Sequence, residues 1–179
     1  MTRAKLPMLL AASILALGFA ACSPENPAAQ AVPAEVATDG ATTETVADSA
    51  VVNFVEKATL ANMFEVEAAK IALERTQVQS VRDFAQAMHD THAAALKELG
   101  SLAAAAAVAP PVALDNDRAG KLEALRNASA EDFDDVYIDQ QTEAHENTLD
   151  LMKDYAANGR DSELQAFAMK TAPTVETHL

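Results

Sequence analysis

Apolar residues recur at helical spacing from Val51 to the C-terminus, and this periodicity constrains the fold more than any other feature of the sequence. Residues three and four apart on a helix lie on one face, so each apolar series predicts an amphipathic helix with one buried stripe. No segment alternates apolar and polar residues for long enough to predict a strand. The sequence therefore predicts an all-α fold.

Turn and capping signals divide this region into four long helices and one short helix. Pro110 begins a proline pair that ends the second helix, Gly159 closes the third long helix, and Ser129 with Asp132 resembles an N-cap. We expect long helices at 50–75, 78–108, 130–157 and 161–179, and a short helix at 115–127. Two hairpins joined by a long crossover that contains a short helix is the topology of a ferritin-like four-helix bundle.

The first 21 residues have the pattern of a secretory signal peptide. Arg3 and Lys5 precede an apolar run that is too short and too rich in alanine to predict a spanning helix. Residues 19–22 resemble a lipobox, in which small residues precede the cysteine that receives a diacylglycerol, here Cys22. The alternative is an ordinary secretory peptide cut near Ala21, which would leave Cys22 as a free thiol.

Residues 22–49 predict a lipidated cysteine followed by a flexible tether. The segment consists largely of alanine, proline, threonine and five acidic residues, and it buries too little apolar surface to order itself. Ser23, rather than an aspartate, follows Cys22 and favours delivery to the outer membrane. We therefore expect the acyl chains on Cys22 to enter the outer-membrane lipid leaflet and to hold a domain at 50–179 on the periplasmic side. The alternative location is the soluble periplasm.

The predicted domain is acidic and carries no recognisable catalytic motif. The chain has 13 basic and 27 acidic residues, of which 11 and 22 fall in 50–179. A net charge of −11 on this domain opposes binding to nucleic acid and permits cationic partners or metal ions. The sequence has no glycine-rich phosphate loop, serine elbow, cysteine cluster or His-Glu-x-x-His motif, so we do not predict an enzyme.

Polar residues interrupt the apolar stripes at matching heights in the predicted bundle. Glu65 lies twelve residues before Gln77 in the predicted turn and His92 lies fifteen residues after it, so we expect them to face each other at a similar height. His145 lies at a similar height on the third long helix. His178 falls on the inward side of the fourth, roughly 7 Å beyond that level.

These residues form a candidate site for a divalent transition metal, since histidine and glutamate together suit Zn, Fe, Mn or Cu. The candidate ligands are Glu65, His92, His145, His89 and His178. Asp90 and Gln141 are candidate acceptors that would fix the imidazole tautomers. The alternative is structural: a Glu65–His92 hydrogen bond and a His145–Gln141 hydrogen bond would set the alignment of the helices.

Several separated segments resemble one known family. They are FVEKA at 54–58, VRDFAQAMHDTH at 81–92, FDDVY at 133–137 with Gln140-Gln141 and His145, and Phe167-Ala168 with Pro173 and the terminal His178-Leu179. Over about residues 50–179 the chain resembles the domain of unknown function 4142 family, exported bacterial proteins with ferritin-like bundles that are often labelled outer-membrane proteins. The resemblance implies the fold and export, and it implies no established activity.

The resemblance to ferritin-like proteins does not extend to their di-iron site. Di-iron members carry a Glu-x-x-His motif on two helices. No glutamate lies three residues before His92, His145 or His178. A mononuclear or degenerate metal site is the most that the sequence predicts.

Two functions stay open on the sequence alone. The first is a non-catalytic binding or stress-associated module that contacts an envelope protein partner. The second is metal binding, in sequestration or redox protection.

Overall fold

A computed structural model of the chain describes residues 48–179. The predicted signal peptide, Cys22 and all but the last two residues of the predicted tether lie outside these residues. The described part consists of helices and their connections, without a strand: α1 (Ser49–Arg75), α2 (Gln79–Ala105), α3 (Asn116–Asn127), α4 (Phe133–Asn158) and α5 (Ser162–His178). None of these five helices combines the length and the hydropathy that a membrane span requires.

Aspartate side chains cap three of these helices. Asp48 accepts a hydrogen bond from a backbone N–H in the first turn of α1, and Asp115 and Asp161 do the same for α3 and α5. Such caps satisfy N–H groups that have no partner within the helix, and the carboxylate charge complements the helix dipole. Asp48 therefore belongs to the folded domain rather than to the tether.

A backbone motif, and not the proline pair, ends α2. Ala107 has a left-handed conformation with a φ of 55°, and Val108 N–H donates to the Ala103 carbonyl at 2.8 Å. Ala107 N–H donates to the Ala104 carbonyl at 3.2 Å, which completes a Schellman motif. The helix consequently ends at Ala105, whereas the prolines predict an end at residue 108.

The beginning of α4 also differs from the sequence prediction. Ser129 does not cap the helix; its Oγ accepts from the Asp132 N–H at 3.1 Å and donates to the Asp132 carboxylate at 2.7 Å. These bonds close a turn ahead of the helix. The first helical residue is accordingly Phe133 rather than a residue near 130.

The structure confirms the predicted topology of two helix hairpins joined by a crossover that contains a short helix. Short turns join α1 to α2 and α4 to α5 as antiparallel hairpins, and the connection between the hairpins carries α3, which packs on α1 and α4. Arg75 at the end of α1 holds this connection through three hydrogen bonds of 2.7–2.9 Å and lies 4.4 Å from the centroid of the Phe133 ring. The three acceptors are the carbonyls of Leu125, Arg126 and Ala128.

Buried polar side chains separate the apolar core into two clusters. One cluster surrounds Phe54 and Phe167 and is built from α1, α2, α4 and α5. The other surrounds Phe64 and Tyr137 and is built from α1, α2, α3 and α4. The buried polar residues of α1, α2 and α4 lie around the boundary between the two clusters. We refer to them as the polar layer, which consists of Thr59, Asn62, Glu65, His92, Gln141, His145 and Thr148.

Candidate metal centre

Three histidines from three helices meet at the polar layer. His92 lies on α2, His145 on α4 and His178 at the end of α5. Their ring centroids are 5.4 Å apart for His92 and His145, 5.2 Å for His145 and His178, and 6.0 Å for His92 and His178. One nitrogen of each ring lies within 4.8 Å of the other two. We refer to these residues as the histidine cluster.

The side chain of Asn62 fixes the tautomer of His92. Asn62 Nδ2 donates to the Ala58 carbonyl at 2.7 Å, which leaves Oδ1 facing His92 Nδ1 at 2.8 Å. Because an amide oxygen only accepts, we assign the proton of the neutral ring to Nδ1 and the free lone pair to Nε2. This Nε2 is buried and has no hydrogen-bond partner.

The backbone of α4 fixes the tautomer of His145 in the same way. His145 Nδ1–H donates to the Gln141 main-chain carbonyl at 2.8 Å, so Nε2 carries the lone pair. His178 Nδ1 lies 3.2 Å from this Nε2 and, with no ion bound, donates its proton to it. Two nitrogens bound to one tetrahedral zinc ion lie about 3.3 Å apart, given Zn–N bonds of about 2.0–2.1 Å. The His145–His178 pair therefore already has the spacing of two ligands of one ion.

Burial keeps all three imidazoles neutral at pH 7. Burial, together with the nearby His145 and His178, lowers the pKa of His92 to about 3. Burial also lowers the pKa of His145, against the opposite influence of the Gln141 carbonyl, and it lowers the pKa of His178. Neutral imidazole is the form that binds metal, so no charged ring must lose its extra proton before an ion binds.

Glu65 lies beside His145 but outside the histidine cluster. Its Oε1 is 3.6 Å from His145 Nδ1, the nitrogen that does not face His178. Neither carboxyl oxygen has a hydrogen-bond partner, and burial raises the pKa of Glu65 to about 8. The nearby Gln141 amide lowers this pKa slightly, although it forms no hydrogen bond of normal geometry. Glu65 is therefore protonated at neutral pH and adjoins the cluster from outside.

This position differs from the prediction that Glu65 faces His92. Since α1 ends at Arg75 and α2 begins at Gln79, Asn62 lies thirteen residues before one helix end and His92 thirteen residues after the other. Residues at equal distances from a short turn lie at the same height in an antiparallel hairpin. Asn62 therefore contacts His92, and the hydrogen bond of His92 goes to Asn62 rather than to Glu65.

His178 lies closer to His145 than the predicted offset of roughly 7 Å. The fourth long helix begins at Ser162, three residues after Gly159, which shortens the offset. Side chains on a helix tilt toward its N-terminus. Because α4 and α5 are antiparallel, the His145 and His178 side chains tilt toward each other and close the remaining distance.

The remaining predicted residues do not join the cluster as expected. His89 Nδ1–H donates to Asp90 at 3.0 Å on the partly exposed face of α2, so neither residue reaches the histidine cluster. Gln141 contributes its main-chain carbonyl rather than its side-chain amide. The sequence prediction does not include Asn62 among the site residues. One signal could have identified it, because Asn62 is a polar residue on the inward side of α1 at the same distance from the turn as His92.

A groove of about 960 Å³ lies apart from the histidine cluster, between α1, α3 and α4. Leu60, Phe64 and Leu151 contribute apolar surface, and six acidic and three basic side chains also line the groove. Its lining contains no histidine and no cysteine. The groove therefore offers no nucleophile paired with an imidazole base.

The model of a family described as Domain of unknown function (DUF4142) matches residues 34–179. No curated protein matches the chain. Among solved structures, the fold is similar to the crystal structure of a DUF305 fragment from Deinococcus radiodurans, with a TM-score of 0.65 and 14% sequence identity over 74% of this chain and 91% of that one. At this identity the likeness concerns the fold alone. Because the family model spans most of the sequence, and as the resemblance predicts, the chain belongs to the DUF4142 family.

Proposed function

We propose that this protein is a metal-binding helical bundle of the bacterial envelope and that its metal site is the histidine cluster. One observation carries the proposal: three buried or half-buried imidazoles from three helices place nitrogen atoms within 4.8 Å of one another. His92 and His145 present unprotonated Nε2 atoms because acceptors hold their Nδ1 protons. Buried polar atoms without a partner are costly, and a bound ion would satisfy the Nε2 of His92.

The donor set favours zinc or copper among the candidate metals. Imidazole nitrogen suits Zn, Cu and Fe, whereas Mn prefers oxygen ligands, and divalent Fe and Mn lie at the weak end of the general order of metal affinities. Three protein ligands leave a fourth position of a tetrahedral ion open to water or to an exchanging ligand. A site with an open position suits a protein that takes up and releases the ion, as sequestration or redox protection requires.

The test is metal analysis of the protein purified without chelator, followed by competition titrations with zinc and copper. We expect one ion per chain, and we expect the double variant His92→Ala/His145→Ala to lose it. His89→Ala is the matched control, because His89 lies on the same helix outside the cluster, and it retains the ion. A wild-type protein without metal, whose unfolding midpoint does not rise with Zn, Cu, Fe or Mn, contradicts the proposal.

The proposal places the protein on the envelope through Cys22. Its support is the basic and apolar leader, the lipobox-like residues before Cys22 and the acidic, proline-containing tether. Such a tether would hold the bundle off the outer-membrane surface on the periplasmic side. Metabolic labelling with a fatty-acid analogue is expected to mark the wild-type protein and not Cys22→Ser, whereas Ser23→Ala keeps the label. Equal labelling of Cys22→Ser would refute lipidation at this residue.

The groove supports a second candidate function, the docking of a basic segment of an envelope protein. Apolar side chains at Leu60 and Leu151 lie among an excess of carboxylates, which complements a segment with alternating apolar and cationic residues. A photo-crosslinking residue at Leu151 is expected to capture a partner in intact envelopes. The same residue at Met169, which is exposed on α5, is the control. Equal capture at both positions would argue against a specific site.

A further inference from the structure

We propose that Asn62 is a positioning residue of the metal centre, which holds the proton of His92 on Nδ1 and thereby keeps Nε2 free to bind the ion. This inference rests on the proposed metal binding and adds a residue that contacts no ion itself. It also assigns a purpose to the buried carboxamide of the polar layer.

Two hydrogen bonds determine the orientation of the Asn62 side chain. Asn62 is 3% exposed, and its Nδ2 donates to the Ala58 carbonyl one turn earlier on α1 at 2.7 Å. The reversed amide would place Oδ1 against that carbonyl oxygen, where two acceptors repel each other. The observed orientation thus leaves Oδ1 as the group that faces His92 Nδ1 at 2.8 Å.

The Asn62 oxygen selects between the two neutral tautomers of His92. With the proton on Nδ1, the ring donates to Oδ1 and its Nε2 lone pair faces the cluster. With the proton on Nε2, two lone pairs would oppose each other at Nδ1, and the Nε2–H would be buried without a partner. Free neutral histidine favours the proton on Nε2, which is the tautomer that blocks the metal-binding nitrogen. Asn62 therefore reverses the intrinsic preference of the ring.

The alignment of α1 with α2 is what makes this contact available. Asn62 and His92 stand at the same height in the hairpin, and both are buried between the two apolar clusters. His145 obtains the same tautomer from a main-chain carbonyl on its own helix. The acceptor for His92 is instead a side chain of another helix, so a substitution of that side chain can change the tautomer.

The first measurement is the tautomer of His92 in the purified full chain with chelator present, read from long-range proton–nitrogen NMR correlations of the imidazole. We expect the Nδ1–H form in the wild type. Asn62→Leu has a side chain of similar size without an acceptor, and we expect it to shift His92 toward the Nε2–H form. The protonated carboxyl group of Asn62→Asp can donate to the Ala58 carbonyl and still offer an acceptor to His92, so we expect it to restore the wild-type tautomer. Observation of the Nε2–H form in the wild type overturns the inference.

The second measurement is zinc affinity by competition titration. Loss of an outer partner of a metal ligand lowers affinity by about 10- to 100-fold, and we expect this loss for Asn62→Leu and its rescue in Asn62→Asp. Thr59→Val is the matched control, since Thr59 is a buried polar residue on α1 whose hydroxyl has no partner, and its zinc affinity stays at the wild-type value.

The outcomes separate this inference from the proposed function. A wild-type chain that binds no zinc overturns the proposed function, and the role of Asn62 in metal binding falls with it. Zinc binding in the wild type with unchanged affinity and tautomer in Asn62→Leu overturns the inference alone. If Asn62→Leu does not fold, the wild-type tautomer and the zinc affinity of Asn62→Asp still test the role of Asn62. We expect the affinity of Asn62→Asp to equal or exceed the wild-type affinity.

Discussion

His145 Nε2 and His178 Nδ1 lie 3.2 Å apart, although 33 residues separate them in the sequence. His178 is the last residue of α5 and half-buried, whereas His145 is 2% exposed within α4. An ion bound between them would link the last turn of α5 to the interior of the bundle. Metal binding and order in the last turn of α5 are therefore expected to be coupled.

This coupling predicts that zinc slows amide hydrogen exchange in the last turn of α5. Helix ends open locally at low cost in free energy, and an ion held by His178 would oppose this opening. His178→Ala is expected to abolish the protection and to lower zinc affinity by at least about 10- to 100-fold. Thr174→Ala, at an exposed position of α5, keeps both. Equal exchange with and without zinc in the wild type would show that His178 does not bind the ion.

The buried titratable groups predict that stability falls from pH 6.5 to 8 when a chelator is present. At these pH values an unfolded chain holds Glu65 ionised, while the folded protein keeps the proton up to a pKa of about 8. Stability therefore falls as the pH rises from 6.5 to 8, by up to about 1.4 kcal/mol per pH unit. Below pH 6.5 the unfolded histidines take up protons that the folded ones exclude, because burial lowers the pKa of each folded histidine. The histidines thus contribute an acid decline in stability, which the contribution of Glu65 opposes.

Urea unfolding across pH 5–8 checks this profile. Glu65→Gln is expected to remove the decline above pH 6.5 and to keep the acid decline. Glu74→Gln changes an exposed carboxyl on the same helix and is expected to leave the whole profile in place. A wild-type protein with constant stability from pH 6.5 to 8 would mean that Glu65 is not held protonated.

The fold was more accessible from the sequence than the site, because helix boundaries depend on local signals. The apolar period of each helix, with Pro110 and Gly159 as stop signals, locates five helices within a few residues of their observed ends. The two boundary differences arise from backbone geometry at Ala107 and Ser129, where nothing in the residue type requires a left-handed alanine or a turn ahead of the cap.

The pairing within the site depended on an offset of three residues, less than one helical turn. Helix ends at 75 and 79 place the centre of the turn at residue 77, which is equidistant from His92 and Asn62, whereas Glu65 lies three residues closer to it. The tilt of side chains toward helix N-termini moves His178 within reach of His145. Periodicity identifies which residues face inward, and the exact pairing among them follows only from helix ends and side-chain direction.

The contacts of Arg75 predict that a lysine at this position would destabilise the domain. The guanidinium donates to three carbonyls at the C-terminal end of α3 and lies over the Phe133 ring, a geometry that a single ammonium group cannot reproduce. We expect Arg75→Lys to lower the free energy of unfolding by about 1–3 kcal/mol. Arg126→Lys, an exposed substitution on α3, is the control and is expected to change it by less than about 0.5 kcal/mol. Equal midpoints of the two variants in urea would contradict the role of Arg75.

The left-handed backbone of Ala107 predicts that a glycine at this position would stabilise the domain. A left-handed conformation costs alanine about 1–2 kcal/mol, and glycine avoids this cost. We expect Ala107→Gly to raise the free energy of unfolding by about 0.5–1 kcal/mol. Ala106→Gly changes the preceding residue, whose φ is −81°, and is expected to lower it. Thermal unfolding of both variants tests the sign, and a lower midpoint for Ala107→Gly would contradict the expectation.

The polar layer also restricts how the hairpins can assemble. One helical turn corresponds to a displacement of α2 along α1 by about 5.4 Å. The displaced chain would separate His92 from Asn62 and leave two desolvated polar side chains opposite hydrocarbon, each at a cost of about 1–3 kcal/mol. These two residues thus disfavour such displaced packings, whether or not an ion is bound.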